Sequence, residues 1–565
     1  MRTLNFIQWR ALSLIGLMVL MTGCGSEDEP QPVAPDKNNF TVTSEDVNCS
    51  NKTVTVLAPF AGKTYRLSVE ASEDISWSVT AESTTGFVTV SPQGEQTGDG
   101  TIEIIAAANP GKEEGKKATV TIKNSVVGDY MKISLEQKEK EIWLEGCEGQ
   151  TEAQFQDQNS KYNVHYMKQS DNIALFWDKS LGRDPKSFQD QTKRFDPDVV
   201  LFKAEEVYCF LIDDLGFSDR TTSLSNKYKL KIWVRAENQS TAYGGGTHGG
   251  EIWLGPNHVK GGMDDRFGIF YHEMCHSFQF MVNQDDKTKG LSGPIGEMTS
   301  QYSLLRAFPN WMELEEGHIK AFLKNSHKAF LHKDNEYHSP YVLEYWGFKH
   351  GENLESKYDG KIVSRVWKGA NKTQGEDAVL AYQRITGITQ EQFNDEIYDA
   401  AARFVTWDLP RIEKDARPWA NKHECKVQKV TSNRYQITPD YCPQNYGYNA
   451  IGLEVPASGK SINLSFIGNT GLTGYHIVNA DRRGWRYGFL AVKKDGTRDY
   501  GEMGKTPSGT LSYTVPNDTK YLWLVVTGAP TKHWTRTESS YGKDDEQWPY
   551  QFTLTGTSPL PTFIK

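Results

Sequence analysis

Residues 272–276 read His272-Glu273-Met274-Cys275-His276 and stand inside an apolar stretch from Phe267 to Val282. This stretch predicts a helix, and residues four apart share one face of a helix, so both imidazoles can reach one metal ion. Glu273 is adjacent to His272 but rotated about 100° around the helix axis. Its carboxylate is therefore expected beside the ion. The pentapeptide indicates, in outline, a hydrolytic zinc site.

A second interpretation is that His272 and His276 are ordinary helix residues. Two buried imidazoles would then each need a polar partner, and one metal ion supplies a partner for both. A catalytic zinc ion takes three protein ligands and keeps one position for water. Twenty residues separate His276 from Glu297, and the intervening polar segment 283–293 predicts a loop, with Pro294 suited to the first turn of a new helix. Glu297 is therefore the candidate third ligand.

This arrangement of an HExxH helix, a loop and a second helix with a glutamate resembles the gluzincin peptidases. The loop length is similar to that of their enhancin-like, mucin-degrading branch. The resemblance covers residues 272–297 and implies a zincin-like fold around Zn²⁺. It further implies His272, His276 and Glu297 as the zinc ligands and Glu273 as the general base that takes a proton from water.

Three positions around the motif separate it from related patterns. In the metzincin pattern a glycine would occupy position 279 and a third ligand position 282, whereas this chain has Gln279 and Val282. Ser300 replaces the acidic or alanine residue often found three positions after the gluzincin glutamate. Cys275 points away from both histidines on a helix, so we expect a buried thiol there and not a ligand.

The reaction also needs a hydrogen-bond donor for the oxyanion besides zinc. Histidine and tyrosine cluster in residues 337–341, where we select His338 and Tyr341 as catalytic candidates, although a structural role is the more common one for each residue. Upstream, the glycine-rich segment 244–254 resembles the edge strand that pairs with extended substrates in such peptidases. Within it, His248 is expected to be a loop residue.

The N-terminus carries an export and anchoring pattern. Residues 1–23 contain two arginines, an apolar run and small residues, as in a signal peptide. Met21-Thr22-Gly23-Cys24 resembles a bacterial lipobox, which implies lipidation of Cys24, and the acidic and proline-containing residues 24–39 predict a tether. We therefore expect a lipoprotein of the bacterial envelope, anchored to the outer membrane and exposed at the surface.

Composition restricts the class of partner. Asp and Glu (72) outnumber Lys and Arg (63), which gives a formal net charge of −9 and no basic patch for nucleic acid. The cysteines form no CxxC pair, so a cysteine zinc site is not expected. Cys425 and Cys442 could form a disulfide or remain buried thiols. The expected partners are an extracellular protein or glycoprotein substrate and, through the lipid at Cys24, a membrane.

The chain predicts a multidomain α+β protein. Residues 40–138 show short alternating runs, as in an Ig-like β-sandwich, and Trp77, Gly98, Gly100 and Gln137 resemble the BACON domain. That resemblance implies carbohydrate binding, whereas a spacer role is the alternative that we favour. Residues 148–420 change to mixed α/β periodicity with a helical second half, and residues 421–565 return to strands, as in a jelly-roll-like sandwich whose tryptophans could contact glycans.

Together these patterns predict a surface-anchored zinc metallopeptidase that hydrolyses peptide bonds of extracellular proteins or glycoproteins, including mucin-like ones. The alternative is a glycan-binding or adhesive surface lipoprotein with a structural or vestigial metal site. Glu273 favours the peptidase, because a structural site does not need a carboxylate that is not a ligand.

Overall fold

The structure is a computed structural model that describes residues 39–58, 62–83, 86–107, 116–137, 140–218, 223–260, 267–308, 310–351, 361–535 and 545–565. The signal peptide of residues 1–23, Cys24 and the tether up to residue 38 lie outside the described residues. The described chain is mixed α+β, with five sheets and twelve α-helices, as the sequence predicts. Among the described residues, every helix is too short or too polar to cross a membrane.

The first part of the described chain forms two sheets that enclose one apolar core. Side chains alternate between buried and exposed along β8, as the period of two predicts. Trp77 is 2% exposed, and its indole nitrogen donates to the carbonyl of Gly98 at 2.8 Å. The sheets have the orders β1-β3-β7-β5 and β2-β9-β8-β4-β6, from strands β1 (Phe40–Thr43), β2 (Thr53–Leu57), β3 (Lys63–Ala71), β4 (Ser76–Ser83), β5 (Val88–Ser91), β6 (Glu95–Thr97), β7 (Gly100–Ala106), β8 (Lys116–Asn124) and β9 (Gly128–Gln137).

The third sheet supports the candidate site. Its order is β10-β11-β12-β14-β13, in which β11, β12 and β14 run parallel and β13 forms an antiparallel edge. Every residue of β11 and β12 is buried, as expected for central parallel strands. The sequence places two of these strands at 227–234 and 250–254, and the second has those bounds. The strands are β10 (Met167–Gln169), β11 (Ile173–Trp177), β12 (Leu230–Val234), β13 (Tyr243–Gly246) and β14 (Gly250–Leu254).

Helices dominate the segment between this sheet and residue 420, as predicted. Asp196 caps a helix that begins at Pro197 and continues into a π-helical turn at Phe210–Asp214. Thr389 and Gln392 form a capping box at the start of another helix. The helices are α1 (Glu152–Gln156), α2 (Pro197–Cys209), α3 (Pro256–Val259), α4 (Gly268–Asp285), α5 (Ile295–Ala307), α6 (Trp311–Leu314), α7 (Glu316–Lys324), α8 (Pro340–His350), α9 (Lys361–Gly369), α10 (Ala378–Thr386), α11 (Gln390–Phe404) and α12 (Glu413–Ala416).

Two further sheets follow, with the orders β15-β16-β23-β18-β21 and β17-β22-β19-β20. Three tryptophans of this part of the chain, Trp485, Trp523 and Trp548, are at most 3% exposed and pack in the core, as does Tyr487; Trp534 is half-buried. The strands are β15 (Val427–Lys429), β16 (Arg434–Ile437), β17 (Tyr448–Leu453), β18 (Ser461–Gly468), β19 (Trp485–Lys493), β20 (Arg498–Tyr500), β21 (Ser508–Thr514), β22 (Thr519–Gly528) and β23 (Tyr550–Thr555).

One apolar core extends through the third sheet, the helices and the last two sheets. Helix α11 packs against β19 and β22, and Arg486 bonds Asp395 across this junction at 2.6 Å. The predicted boundary between residues 420 and 421 separates the third sheet from the last two sheets. The residues on its two sides nevertheless share one apolar core. Cys425 and Cys442, for which the sequence allows a disulfide, are buried free thiols in the structure.

Candidate metal centre

Helix α4 carries the pentapeptide, and its apolar face fixes the direction of the histidines. Phe270, Met274, Phe278 and Met281 are at most 2% exposed and recur every three or four residues, so this stripe packs into the core. The Ser277 hydroxyl donates to the carbonyl of Glu251 on β14 at 2.7 Å and ties the helix to the sheet. The histidine face is left toward α5 and solvent.

Helix α5 brings the third ligand to this face. The Ser303 hydroxyl donates to the carbonyl of Tyr271 at 2.9 Å, which joins α5 to α4. Nε2 of His272 and Nε2 of His276 are each 3.1 Å from Oε2 of Glu297, and the two nitrogens are 3.3 Å apart. The structure thus places the three sequence-predicted ligands together, 25 residues apart at most along the chain.

The donor set and its spacing fit zinc. Two ligand atoms about 2.1 Å from a tetrahedral centre lie about 3.4 Å apart, close to the observed separations. Among the described residues, His272, His276 and Glu297 form the group of His, Cys, Asp or Glu side chains whose possible ligand atoms lie close enough together to hold one metal ion. The ligand side chains are 13%, 17% and 28% exposed, so one side of the site is open to solvent.

Electrostatics favour an ionised Glu297. Burial raises its pKa, but hydrogen bonds with His272 and His276 outweigh burial, and the net pKa lies well below the usual value. Burial lowers the pKa of His276, and its hydrogen bond with Glu297 more than compensates, so that pKa is raised. Glu297 thus supplies the negative charge that a cation requires.

Gln279 orients His276 from the opposite side of the ring. Its Oε1 is 3.1 Å from His276 Nδ1, while its Nε2 donates to the carbonyl of Gly296 at 3.0 Å and lies 3.3 Å from the Ser300 hydroxyl. Because the Gln279 amide nitrogen is engaged by two acceptors, its oxygen accepts from His276 Nδ1–H, and Nε2 is the atom of His276 that faces Glu297 and would bind a metal ion. Gln279 and Ser300, which depart from other family patterns, support the site here.

Glu273 lies beside the ligands and does not join them. It is 7% exposed, and its carboxylate accepts a hydrogen bond from the backbone N–H of Gly244 on the edge strand β13. Burial raises the pKa of Glu273, and the charges of His272 and His276 oppose that rise only in part. A raised pKa makes the carboxylate a better proton acceptor.

Of the two selected oxyanion donors, Tyr341 lies in the core, and His338 contacts a second histidine. Tyr341 is 0% exposed, with its ring 5.0 Å from Phe322 and 4.8 Å from Trp407, and its hydroxyl is buried without a hydrogen-bond partner among the described residues. Nδ1 of His338 is 2.9 Å from Nδ1 of His318. Tyr341 belongs to the core because it falls on the inner face of α8.

Tyr337 is the tyrosine that reaches the centre. Its ring lies parallel to that of His272, with centroids 6.1 Å apart and an interplanar angle of 10°. Burial raises its pKa, followed by the charge of Glu297 and a hydrogen bond with it, so the hydroxyl stays protonated near the site. The sequence offers the cluster 337–341, but the direction of each side chain in this turn was not readable from spacing.

Two residues set aside on sequence grounds lie outside the centre. His248 stacks on Trp143 with centroids 4.0 Å apart and contacts Tyr228, which agrees with a loop residue. Cys275 is 0% exposed, and its Sγ lies 3.8 Å from the carbonyl of Thr299. Neither side chain belongs to the group of three predicted ligands.

Solved structures resemble the chain only weakly. A functionally unknown conserved protein from Bacillus anthracis is 11% identical over 84% of this chain and 100% of that chain, with a TM-score of 0.28. A Bacteroides ovatus GH5 xyloglucanase is 10% identical over 44% of this chain and 63% of that one, with a TM-score of 0.15. These scores are too low to compare folds.

No curated protein matches the chain. The model of one family, described as a family of unknown function (DUF6055), matches residues 135–560. This match spans the third sheet, the metal helices and nearly all of the last two sheets, and it leaves out most of the first two. The chain therefore belongs to the DUF6055 family.

Proposed function

We propose that this protein is a zinc metallopeptidase that hydrolyses peptide bonds of extracellular proteins or glycoproteins. The observation that carries the proposal is the combination of two features at one place. Three ligand atoms converge within 3.3 Å of one another, and Glu273, a carboxylate outside that set, is held beside them by Gly244. A structural metal site needs the first feature but not the second.

Zinc, when bound, supplies a Lewis acid that acidifies water and polarises a carbonyl oxygen. Glu273 then accepts a proton from the attacking water and delivers it to the leaving amine. Tyr337 takes the role first assigned to His338 and Tyr341, because its hydroxyl remains a donor and its ring lies along His272. The Tyr337 hydroxyl donates to the developing oxyanion of the substrate.

The edge strand β13 suits an extended polypeptide. It is the outer strand of its sheet and pairs with β14 on one side only. Gly244 lets helix α4 approach one face of this strand closely. Main-chain hydrogen bonds along the outer edge of such a strand hold a substrate irrespective of its side chains. A peptide aligned there passes Glu273, which contacts Gly244.

The same proposal includes the type of fold of each part of the chain and the cellular location of the protein. The central part is zincin-like, the first two sheets form an Ig-like, BACON-like spacer, and the last two form a jelly-roll-like sandwich. The lipobox resemblance at Cys24 supports a lipoprotein anchored to the outer membrane and exposed at the bacterial surface. The acidic composition and the external site suit large soluble substrates, and glycan contacts by the sandwiches are an additional prediction.

The test compares wild type with Glu273→Gln at equal zinc content on plain proteins and on mucins. We expect wild type to cleave at least one substrate and the variant to lose at least 100-fold in turnover, because general base catalysis contributes about 10² to 10⁴-fold. Equal inactivity of both zinc-loaded proteins on the whole panel would overturn the peptidase proposal. That outcome would favour the alternative, an adhesive or glycan-binding lipoprotein with a structural metal site.

A further inference from the structure

Next to the metal centre, a glutamate and two histidines form a chain of hydrogen bonds. Oε2 of Glu315 is 2.9 Å from Nε2 of His318. Nδ1 of His318 is 2.9 Å from Nδ1 of His338. The ring of His318 also stacks on Trp311, with centroids 5.5 Å apart and an interplanar angle of 14°. The metal centre described above uses none of these three polar side chains.

The chain of hydrogen bonds holds two rings in series. The hydrogen bond with His318 lowers the pKa of Glu315, so this group is a carboxylate and only accepts. His318 Nε2 therefore donates to Glu315, and Nδ1 of His318 holds Nδ1 of His338. The orientation of the His338 ring thus depends on both Glu315 and His318.

The ring of His338 also forms a hydrogen bond with the backbone of the preceding residue, Tyr337. The chain of hydrogen bonds therefore ends at the residue whose ring lies parallel to that of His272.

Tyr337 itself lies in an irregular turn and is 37% exposed. The two residues that follow it are anchored. The Ser339 hydroxyl lies 2.9 Å from the carbonyls of both Phe330 and Asn335, and His338 is held by His318. The backbone that follows Tyr337 is thereby fixed, and the Tyr337 ring lies parallel to that of His272.

We propose that Glu315 and His318 are positioning residues of the metal centre, which orient the His338 ring and thereby hold the Tyr337 ring against His272. The expected effect on kcat rests on the proposed function. The expected effect on the position of the Tyr337 ring does not. Without the chain of hydrogen bonds, His338 can rotate, and the Tyr337 hydroxyl spends less time where the oxyanion forms.

The first test is structural and does not depend on turnover. His318→Phe keeps a flat ring against Trp311 but removes both nitrogens. In crystals of the zinc-loaded proteins, we expect the Tyr337 ring to lie parallel to His272 in wild type and to be displaced or without density in the variant. An unmoved Tyr337 in His318→Phe would overturn the proposal, whether or not the protein is a peptidase.

The second test is kinetic and uses a double-mutant cycle. We expect His318→Phe to lower kcat about 10-fold, with KM and zinc content unchanged, and the same substitution to have no further effect in Tyr337→Phe. Independent, multiplicative losses would show that His318 does not act through Tyr337. If His318→Phe does not fold, Glu315→Ala replaces it, because this side chain is 49% exposed.

The adjacent residue provides the matched control for that variant. Glu316 is 55% exposed and pairs with Lys320 on the surface at 2.6 Å. Glu316→Ala should therefore leave kcat unchanged while Glu315→Ala lowers it. Equal effects of the two substitutions would attribute the loss to helix α7 as a whole and contradict the role of Glu315.

Discussion

The backbone of Gly244 on the edge strand touches the backbone of Glu273 on the metal helix. A Cβ at position 244 would lie 1.9 Å from the Glu273 carbonyl oxygen and 2.8 Å from the His276 Cβ. The strand and helix are therefore closer than any side chain permits. This contact also brings the Gly244 N–H to the Glu273 carboxylate.

Gly244→Ala should separate β13 from α4. Because the clash is with backbone, we expect a loss of at least about 1–3 kcal/mol of stability, as for an overpacked core, together with loss of turnover. Thermal unfolding and peptidase assays measure both. The control is Gly245→Ala, whose Cβ would meet its nearest atom, on Trp253, at an ordinary 3.7 Å. Similar behaviour of the two variants would contradict the close approach.

Glu297→Ala should abolish tight zinc binding, because two imidazoles remain and the third ligand is lost. Metal content after dialysis, measured by mass spectrometry, should fall from about one zinc per chain to near zero. His248→Ala should retain full zinc, since His248 stacks on Trp143 away from the ligands. Full zinc content in Glu297→Ala would mean that the third ligand is assigned wrongly.

Gln279→Leu should weaken zinc binding without removing a ligand. The substitution leaves His276 Nδ1–H without its acceptor, and such orienting partners are worth about 10–100-fold in metal affinity. Competition with a chromogenic chelator measures the change. Gln284→Leu makes the same substitution near the end of helix α4 and should leave the affinity unchanged; an equal loss there would point to the helix and not to His276.

Lys231 and Glu251 form a buried ion pair below the edge strand. Both side chains are 0% exposed, 3.4 Å apart, and Glu251 also accepts from the Trp233 indole at 2.7 Å. Glu251→Leu strands a buried lysine charge, and we expect a loss of about 3–5 kcal/mol in urea unfolding. Adding Lys231→Met should recover part of that loss. A double variant less stable than Glu251→Leu would contradict the charge argument.

His423 should make stability depend on pH. Burial lowers its pKa from 6.5 to about 3, so between these values the unfolded chain binds a proton that the folded chain does not. Stability therefore falls as the pH falls below 6.5, by about 1.4 kcal/mol per pH unit, until about pH 3. His423→Gln should flatten this slope in unfolding measured from pH 7 to 5. An unchanged slope would assign the effect to other groups.

The sequence by itself determined the features that depend on local periodicity. The apolar repeat from Phe267 to Val282 fixed helix α4, and four-residue spacing fixed that His272 and His276 share a face. A loop followed by Pro294 was enough to predict α5 and to place Glu297 near them. The strand that the sequence places at residues 250–254 is likewise β14, with those bounds.

The tertiary structure alone decided which nearby side chains meet the ligands. Tyr337, and not His338 or Tyr341, lies along His272, because an irregular turn has no period from which side-chain direction can be read. Gln279 supports His276 only because Gly296 on the next helix fixes its amide. The contact of Gly244 with Glu273 likewise joins two elements that are separate in sequence. Spacing along one helix determines a ligand pair, whereas packing between elements determines what surrounds it.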